Sequence, residues 1–300
     1  MATISYIMGL PKSSAAKAAK LMGVASTTLS RLMGTGLGVQ ASGGTQTFSS
    51  GYTYTIHTFT ANGTLTVHTG GGQAGGDVEY LVVAGGGGGG GGYQGGGGGA
   101  GGYLAGTGFA VTPQAYSVTV GAGGDGVTNS PDVAAVNGGD SVFDTKTAVG
   151  GGRGGSELPN AAPNTGGSGG GGSWDGTTQN TGAAGTAGPP IQGYAGGDGY
   201  AISPYADDDF PGGGGGGSAG VGTNGVHGAA QANGGPGTSN SISGGAVTYA
   251  DGGKGANRSR NANGANASAN TGNGGESGGN VAGNSTGGNG GSGIVIVRYR

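Results

Sequence analysis

An unbroken run of glycine from Gly85 to Gly92, followed closely by a second run from Gly95 to Gly99, constrains this chain more than any other feature. Glycine loses more backbone entropy on ordering than any other residue, and it has no side chain whose burial could offset that loss. The chain contains 86 glycines among 300 residues. It must therefore either stay disordered or pair nearly all of its backbone N–H and C=O groups.

The spacing of the glycines decides between the known ordered forms of such a chain. Collagen needs glycine at every third position, and the unbroken runs exclude that repeat. Disorder is the ordinary expectation for a glycine-rich sequence without a period. However, aliphatic segments bracket the glycine region and aromatic residues recur within it. We therefore predict extended polyglycine-II helices, which have three residues per turn and can bond laterally to one another.

Composition argues against several functional classes. The chain has no cysteine, and its formal net charge of −3 leaves no excess of cations for nucleic acid. No phosphate-binding Gly-Lys-Ser/Thr occurs. No G-x-S-x-G nucleophile elbow with a paired histidine emerges, and His57 and His68 are expected at exposed strand positions. The acidic triplet 207–209 is better explained as a solvated loop than as a calcium site. We expect no catalysis, no cofactor and no metal.

Residues 1–40 differ from the rest of the chain. They predict two short helices, at 13–22 and 26–33, which end at Gly23 and Gly34. Neither helix is long enough to be stable alone, so their apolar faces should dock on the same chain, on a sister subunit or on another protein. The residues expected to serve attachment or oligomerisation are Leu21, Met22, Leu29, Leu32 and Met33.

Residues 41–84 predict antiparallel β-structure. The β-branched and aromatic segments 52–59 and 65–67 flank Asn62-Gly63, which is a strong signal for a hairpin. The segment 78–84 is almost continuously apolar, and we expect it to be buried on both faces.

Residues 85–300 alternate glycine runs with polar inserts and close on a β-prone segment. A chain that runs up and down must place its loops at two ends. We expect strands at 78–84, 118–120 and 294–299 to share one end and several inserts to share the other. The predicted fold class is mostly β and irregular, with short N-terminal helices, a small antiparallel β region, and a polyglycine-II bundle or sandwich with loops at its ends.

The insert at 189–211 combines aromatic rings with acidic and amide groups. Rings can stack on sugars while carboxylates bind hydroxyl groups, and aromatic residues are also common anchors of protein interfaces. The alternative interpretation is that these rings pack locally over the glycine segments. The candidate receptor-binding residues are Trp174, Tyr194, Tyr200, Tyr205, Asp207, Asp208 and Phe210.

A series of sequence blocks occurs here in a fixed order, and the series is more specific than any single glycine run. The blocks are Phe59–Val67, Val78–Ala84 with its glycines, Gly98–Tyr103, Tyr116–Gly124, Asn137–Phe143 and Gly290–Tyr299. Together they resemble the glycine-rich domain of bacteriophage tail-fibre and other virion structural proteins. The chain is also similar to the glycine-rich adhesins at the tips of long tail fibres, which implies a polyglycine-II sandwich whose tip loops contact the host receptor.

This resemblance implies a tail-fibre or receptor-binding adhesin on the exterior of the virion. Its expected partners are a host surface glycan or outer-membrane protein, other virion proteins through the N-terminus, and further copies of itself. Residues 1–10 lack a secretory signal and no run reaches the length of a membrane span, so we expect synthesis in the host cytoplasm without membrane insertion. The alternative function is purely structural, as a capsid decoration protein, a fibre or a filament subunit.

Overall fold

The computed structural model describes most of the chain beyond its first 37 residues. The described residues are 38–49, 54–69, 76–127, 133–157, 161–174, 181–186, 190–200, 211–229, 231–280, 282 and 284–300. They are mostly β and irregular, with several small antiparallel sheets and no α-helix, which confirms the coarse fold class. The two predicted helices, with Leu21, Met22, Leu29, Leu32 and Met33, lie outside the described residues.

Fourteen strands and one 3-10 turn make up the regular structure of this part of the chain. In chain order they are β1 (Gln40–Ser42), β2 (Thr45–Phe48), β3 (Thr55–Phe59), β4 (Gly63–Thr69), β5 (Gly76–Val83), β6 (Tyr103–Val111), β7 (Ala115–Thr119), β8 (Ser141–Phe143), β9 (Lys146–Ala148), β10 (Gln231–Ala232), β11 (Thr238–Asn240), β12 (Val247–Tyr249), β13 (Gly255–Ala256), the 3-10 turn (Arg258–Arg260) and β14 (Ile294–Tyr299).

Two five-stranded antiparallel sheets form a sandwich at one end of the molecule. Their strand orders are β1-β4-β7-β8-β9 and β2-β3-β14-β5-β6. Leu65 and Phe143 of the first sheet pack with Val82 and Val295 of the second in one buried cluster. Segments that are far apart in sequence therefore share one core, as expected for the strands near 78–84, 118–120 and 294–299.

The second sheet is buried on its other face as well. Leu81 and Ile296 point into a second cluster that includes Ile242 and Tyr249 from the region of the β11–β12 hairpin. Strands β5 and β14 thus have apolar neighbours on both sides, which confirms the prediction for segment 78–84 and explains its lack of alternation.

The predicted hairpin around Asn62-Gly63 is wrong. Strand β3 pairs with β2 and β14, whereas β4 pairs with β1 and β7, so this turn connects the two sheets instead of two neighbouring strands. Neither turn residue has the positive φ that a two-residue hairpin of this type requires. The Asn62 side chain instead accepts a hydrogen bond from the backbone N–H of Val120 at 2.8 Å.

Beyond the sandwich, extended segments run back and forth between the sandwich and the opposite end, which we call the far end. Gly87 and Gly90 donate to the carbonyls of Gly99 and Gly96, for example, which identifies two antiparallel neighbours. The segments that lead away from the sandwich are 84–91, 120–127, 149–156, 168–174, 193–200, 220–227, 250–256 and 271–279. The segments that return are 95–102, 133–140, 161–167, 181–186, 211–217, 231–237, 262–270 and 286–293.

The segment 84–91 is bonded to neighbours on all sides. The N–H groups from Gly85 to Gly90 donate in rotation to three segments, and their carbonyls accept in rotation from three others, at 2.8–3.1 Å. The direction of bonding therefore returns to the same neighbour at every third residue. The acceptors lie in segments 95–102, 133–140 and 286–293, and the donors lie in segments 120–127, 149–156 and 271–279.

Segments 95–102 and 211–217 are surrounded by bonded neighbours in the same way. These three central segments lie in one row, with outer segments above and below them. Glycine is required there because neighbouring backbones are in direct contact: a methyl carbon added to Gly87 would lie 2.5 Å from the carbonyl carbon of Gly152. Backbone hydrogen bonds thus replace the side-chain packing that holds the sandwich together.

Outer segments carry a recurring two-point contact, which we call the Asx clamp. The Asn263 side-chain oxygen accepts from the backbone N–H of Thr286 at 3.0 Å, and the N–H of Gly264 donates to the carbonyl of Thr286 at 2.8 Å. In every clamp, the backbone N–H of the residue after the Asn or Asp donates to a carbonyl of the neighbouring segment. This carbonyl belongs either to the residue whose N–H binds the side-chain oxygen or to the residue two positions before it. The clamp recurs at Asn137, Asn224, Asp251, Asn266, Asn273 and Asn289.

Candidate functional site

The far end brings together two of the candidate receptor-binding rings. Trp174 ends one outgoing segment and Tyr200 ends another, and both are half-buried. The two segments touch, because a methyl carbon on Gly199 would lie 2.6 Å from the carbonyl oxygen of Ser173. The Tyr200 ring also lies 6.0 Å from the ring of His227. Three aromatic residues that are distant in sequence therefore belong to one end of the bundle.

Tyr194 does not belong to this group. It stands near the start of the same outgoing segment as Tyr200, six residues earlier, which is about 19 Å for extended backbone. Its neighbour Gln192 accepts from the backbone N–H of Val149, directly after β9. Tyr194 is 39% exposed and lies near the sandwich. The rings of the 189–211 insert are thus divided between the two ends.

The insert between Tyr200 and Pro211 is closed at its base. The backbone N–H of Tyr200 donates to the carbonyl of Pro211 at 3.0 Å, so both ends of the insert start from the same place at the far end. The remaining candidates, Tyr205, Asp207, Asp208 and Phe210, lie outside the described residues.

A charged cluster at the far end was missed in the sequence analysis. The Glu276 carboxylate lies 2.9 Å from the Arg260 guanidinium and 3.5 Å from the Lys254 ammonium. The 3-10 turn that carries Arg260 is fixed by the buried Asn257, whose side chain accepts from the N–H of Arg260 and donates to the carbonyl of Ala229. The polar composition of the 257–261 insert is the only signal that could have indicated it.

His57 is buried, and its predicted exposure is wrong. Strand β3 lies inside the second sheet between β2 and β14, and the consecutive residues Ile56 and His57, whose side chains point to opposite faces, are both buried. The Nδ1 atom of His57 lies 2.7 Å from the carbonyl oxygen of Gly43, and Nε2 lies 3.0 Å from the hydroxyl of Tyr299. A carbonyl can only accept, so Nδ1 carries the proton and Nε2 accepts from Tyr299. His68 is exposed, as predicted.

Burial disfavours the charged forms of both partners in this network. Desolvation lowers the pKa of His57 below 6.5, against a smaller opposing effect of its bond to Gly43. Burial raises the pKa of Tyr299, whose hydroxyl also accepts from the backbone N–H of Ala41 at 2.9 Å. The chain Ala41–Tyr299–His57–Gly43 connects β1 and the turn after it to the second sheet. These contacts indicate a structural role for His57.

A cleft of about 320 Å³ opens at the sandwich, away from the glycine segments. The guanidinium groups of Arg298 and Arg300 both contact the ring of Tyr54, at 4.5 and 4.8 Å from its centroid. Arg298 also donates to the Glu79 carboxylate from Nε and Nη2 at 2.9 and 2.6 Å. Arg298 and Glu79 are thus paired with each other, and the cleft contains no histidine, serine or cysteine among its described lining residues.

Within the described ranges, no group of three or more His, Cys, Asp or Glu residues is close enough to hold a metal ion. No helix in the same part of the chain is long and apolar enough to cross a membrane.

Comparison with known families gives a match that covers the glycine segments and strands β5 to β14. The glycine-rich domain family matches residues 73–300, which includes all three central segments and the closing strand β14. No curated protein matches the chain. Because the match covers most of the sequence, the chain belongs to the glycine-rich domain family.

Proposed function

We propose that this protein is a bacteriophage tail-fibre or receptor-binding adhesin that contacts the host surface without catalysis. A polyglycine-II bundle serves as a stiff scaffold, and loops at the far end bind a host glycan or an outer-membrane protein. Residues 1–40 attach it to other virion proteins and to further copies of itself.

The bonding pattern of the central segments supports the polyglycine-II scaffold. A helix with three residues per turn presents its N–H and C=O groups in three directions and repeats them at every third residue. The rotation of bonds from Gly85 to Gly90 through six neighbouring segments has this period. A lattice of this kind resists bending, because moving one segment breaks bonds to several others.

The observation that supports receptor binding best is the arrangement of side chains at the far end. Trp174 and Tyr200 lie on neighbouring segments there, and the insert that continues with Tyr205 and Asp207 begins and ends there. Loops carried by a rigid scaffold are a common way to build a binding surface, and aromatic residues are its usual anchors.

The experiment uses the purified full chain and the bacterial strain on which the corresponding phage grows. We expect the chain to bind these cells and to block phage adsorption. Replacing both Trp174 and Tyr200 with Ala should reduce binding at least about tenfold, as expected for interface anchors. Tyr194→Ala is the matched control, because Tyr194 is an exposed ring of the same insert at the opposite end of the segment. Equal binding by all variants would argue against the far end as the receptor site.

A purely structural role is the second candidate. The Asx clamps favour it, because they complete the hydrogen bonding of outer segments without help from any ligand. This function predicts many copies on the particle or spontaneous filaments, with no binding to host cells.

A further inference from the structure

The Asx clamps restrain asparagine residues that would otherwise be prone to deamidation. An asparagine followed by glycine can lose ammonia when the glycine N attacks the side-chain carbonyl carbon, and glycine offers little steric resistance to that attack. Seven Asn-Gly pairs occur in the sequence. They begin at Asn62, Asn137, Asn224, Asn233, Asn263, Asn273 and Asn289.

Five of these pairs are clamped at both reacting groups. At Asn273, the side-chain oxygen accepts from the N–H of Asp251 at 2.9 Å, and the N–H of Gly274 donates to the carbonyl of Asp251 at 2.9 Å. The amide nitrogen and the side-chain carbonyl are therefore held by the neighbouring segment and cannot turn toward each other. Asn62 is held in a similar way by Val120, while Gly63 is paired with Val118 between β4 and β7.

Asn233-Gly234 is the exception among these pairs. The Asn233 side chain is exposed and makes no hydrogen bond to the described residues, and the N–H of Gly234 has no acceptor among them. Only the backbone carbonyl of Asn233 is engaged, as acceptor for the N–H and hydroxyl of Thr223 at 2.9 and 3.0 Å. The side-chain amide of Asn233 and the backbone N–H of Gly234 thus lack the hydrogen bonds that restrain the other six pairs.

We propose that Asn233 is the deamidation site of the folded protein. The backbone nitrogen of Gly234 forms a bond to the Asn233 side-chain carbonyl carbon and loses its proton, and the side-chain nitrogen leaves as ammonia. Water then opens the cyclic imide at either carbonyl and gives aspartate or isoaspartate. No oxidant or reductant is involved.

The modification adds a negative charge beside segment 220–227, one residue after β10. In the isoaspartate product the main chain runs through Cβ and the former side-chain carbonyl carbon, and the carbonyl of residue 233 that accepts from Thr223 becomes a free carboxylate. Thr223 in turn accepts from the N–H of the central residue Gly214 at 2.9 Å. Deamidation would therefore loosen an outer segment of the bundle next to a central one.

The test incubates the purified full chain at mildly alkaline pH and follows each Asn-Gly pair by peptide mapping and mass spectrometry. A mass increase of about 1 Da identifies the converted residue. We expect Asn233 to convert at least about tenfold faster than Asn263, Asn273 or Asn289, because bonded amides react only after local opening. In denaturant the seven sites should convert at similar rates, since all share the same Asn-Gly sequence. Asn233→Gln should remove the fast phase in the folded protein.

Similar rates at all seven sites in the folded chain would overturn the proposal, and so would a faster reaction at a clamped pair. Asn233 remaining slow in denaturant would also overturn it, because the difference would then arise from local sequence. Circular dichroism and unfolding of Asn233→Gln confirm that the variant still folds, so the loss of the fast phase can be assigned to the missing amide. None of these outcomes depends on receptor binding.

Discussion

The sandwich and the glycine bundle are held together in opposite ways within one chain. In the sandwich, buried side chains such as Phe143 and Val295 fill the space between two sheets. In the bundle, the central segments consist almost entirely of glycine, and their cohesion comes from backbone bonds in several directions. The first arrangement is sensitive to the removal of atoms, and the second is sensitive to their addition.

The largest effect should come from deleting a ring in the sandwich. Phe143 is fully buried between the sheets, so Phe143→Ala should lower the free energy of unfolding by about 3–5 kcal/mol. Chemical denaturation of the full chain measures the change. Phe48→Ala is the control, because this ring on the edge strand β2 is 55% exposed and its loss should cost less than about 1 kcal/mol. Equal losses for the two variants would contradict a core between the sheets.

Adding a single carbon to the bundle should have almost as large an effect. Gly87→Ala places a methyl group against the backbone of Gly152, which cannot move without breaking its own bonds. We expect a loss of about 3 kcal/mol, at the upper end of what overpacking costs. The matched control is Gly245→Ala, where nothing lies within 4 Å of the added carbon.

Denaturation of both glycine variants tests this difference between the two regions. If Gly87→Ala is as stable as Gly245→Ala, the central segments are not packed backbone to backbone. Amide exchange gives an independent measurement, because opening of the lattice should accelerate exchange at Gly87 and at its bonded neighbours.

The sequence predicted the glycine regions better than the order in which they pair. The run 85–92 has no side chains to distinguish one neighbour from another, so nothing in it indicates that Gly85 donates to Gly139 and Gly86 to Gly291. The pairing of the central glycines is therefore determined by the outer segments and by the strands to which these segments are connected. The hairpin prediction failed for a related reason, because Asn62 binds Val120 at the end of β7 and so directs the chain into the sheet of β4 and β7, away from β3.

The candidate site was predictable only in part. The aromatic composition of the 189–211 insert drew attention to Tyr194 and Tyr200, but composition could not show that they lie toward opposite ends. The Asx clamps were also missed, although Asn263 and Asn266 stand three residues apart in the outer segment 262–270. The three-residue spacing of Asn and Asp beside glycine runs is the signal that could have revealed them.

A single clamp should contribute a smaller amount of stability. Asn266→Ala removes the side-chain acceptor for the N–H of Asn289, which lies 2.8 Å away. The expected loss is about 1 kcal/mol, typical of one net hydrogen bond. The control is Asn233→Ala, which removes an exposed side chain without such a bond. If both substitutions have the same effect on the free energy of unfolding, the clamps do not stabilise the bundle.

The smallest effect in this series is a dependence on pH that belongs to the sandwich alone. His57 is neutral in the folded chain, and burial keeps its pKa below the ordinary value of 6.5. The unfolded chain therefore binds more protons between these two pKa values, and stability rises with pH there. The contribution of His57 is fully present above about pH 6.5 and is lost as the pH falls toward the folded-state pKa.

Unfolding of the full chain at pH 8 and pH 5 should show this loss, and His57→Gln should reduce the difference between the two conditions. Every other titratable group is the same in the two chains, so the comparison isolates the His57 imidazole. The three central segments should show no matching change in amide-exchange protection, because their backbone-to-backbone bonds involve no titratable group. A loss of amide-exchange protection at pH 5 in both the sandwich and the bundle would instead mean that the two regions unfold together. The two regions would then differ in how they are packed, but they would not differ in stability.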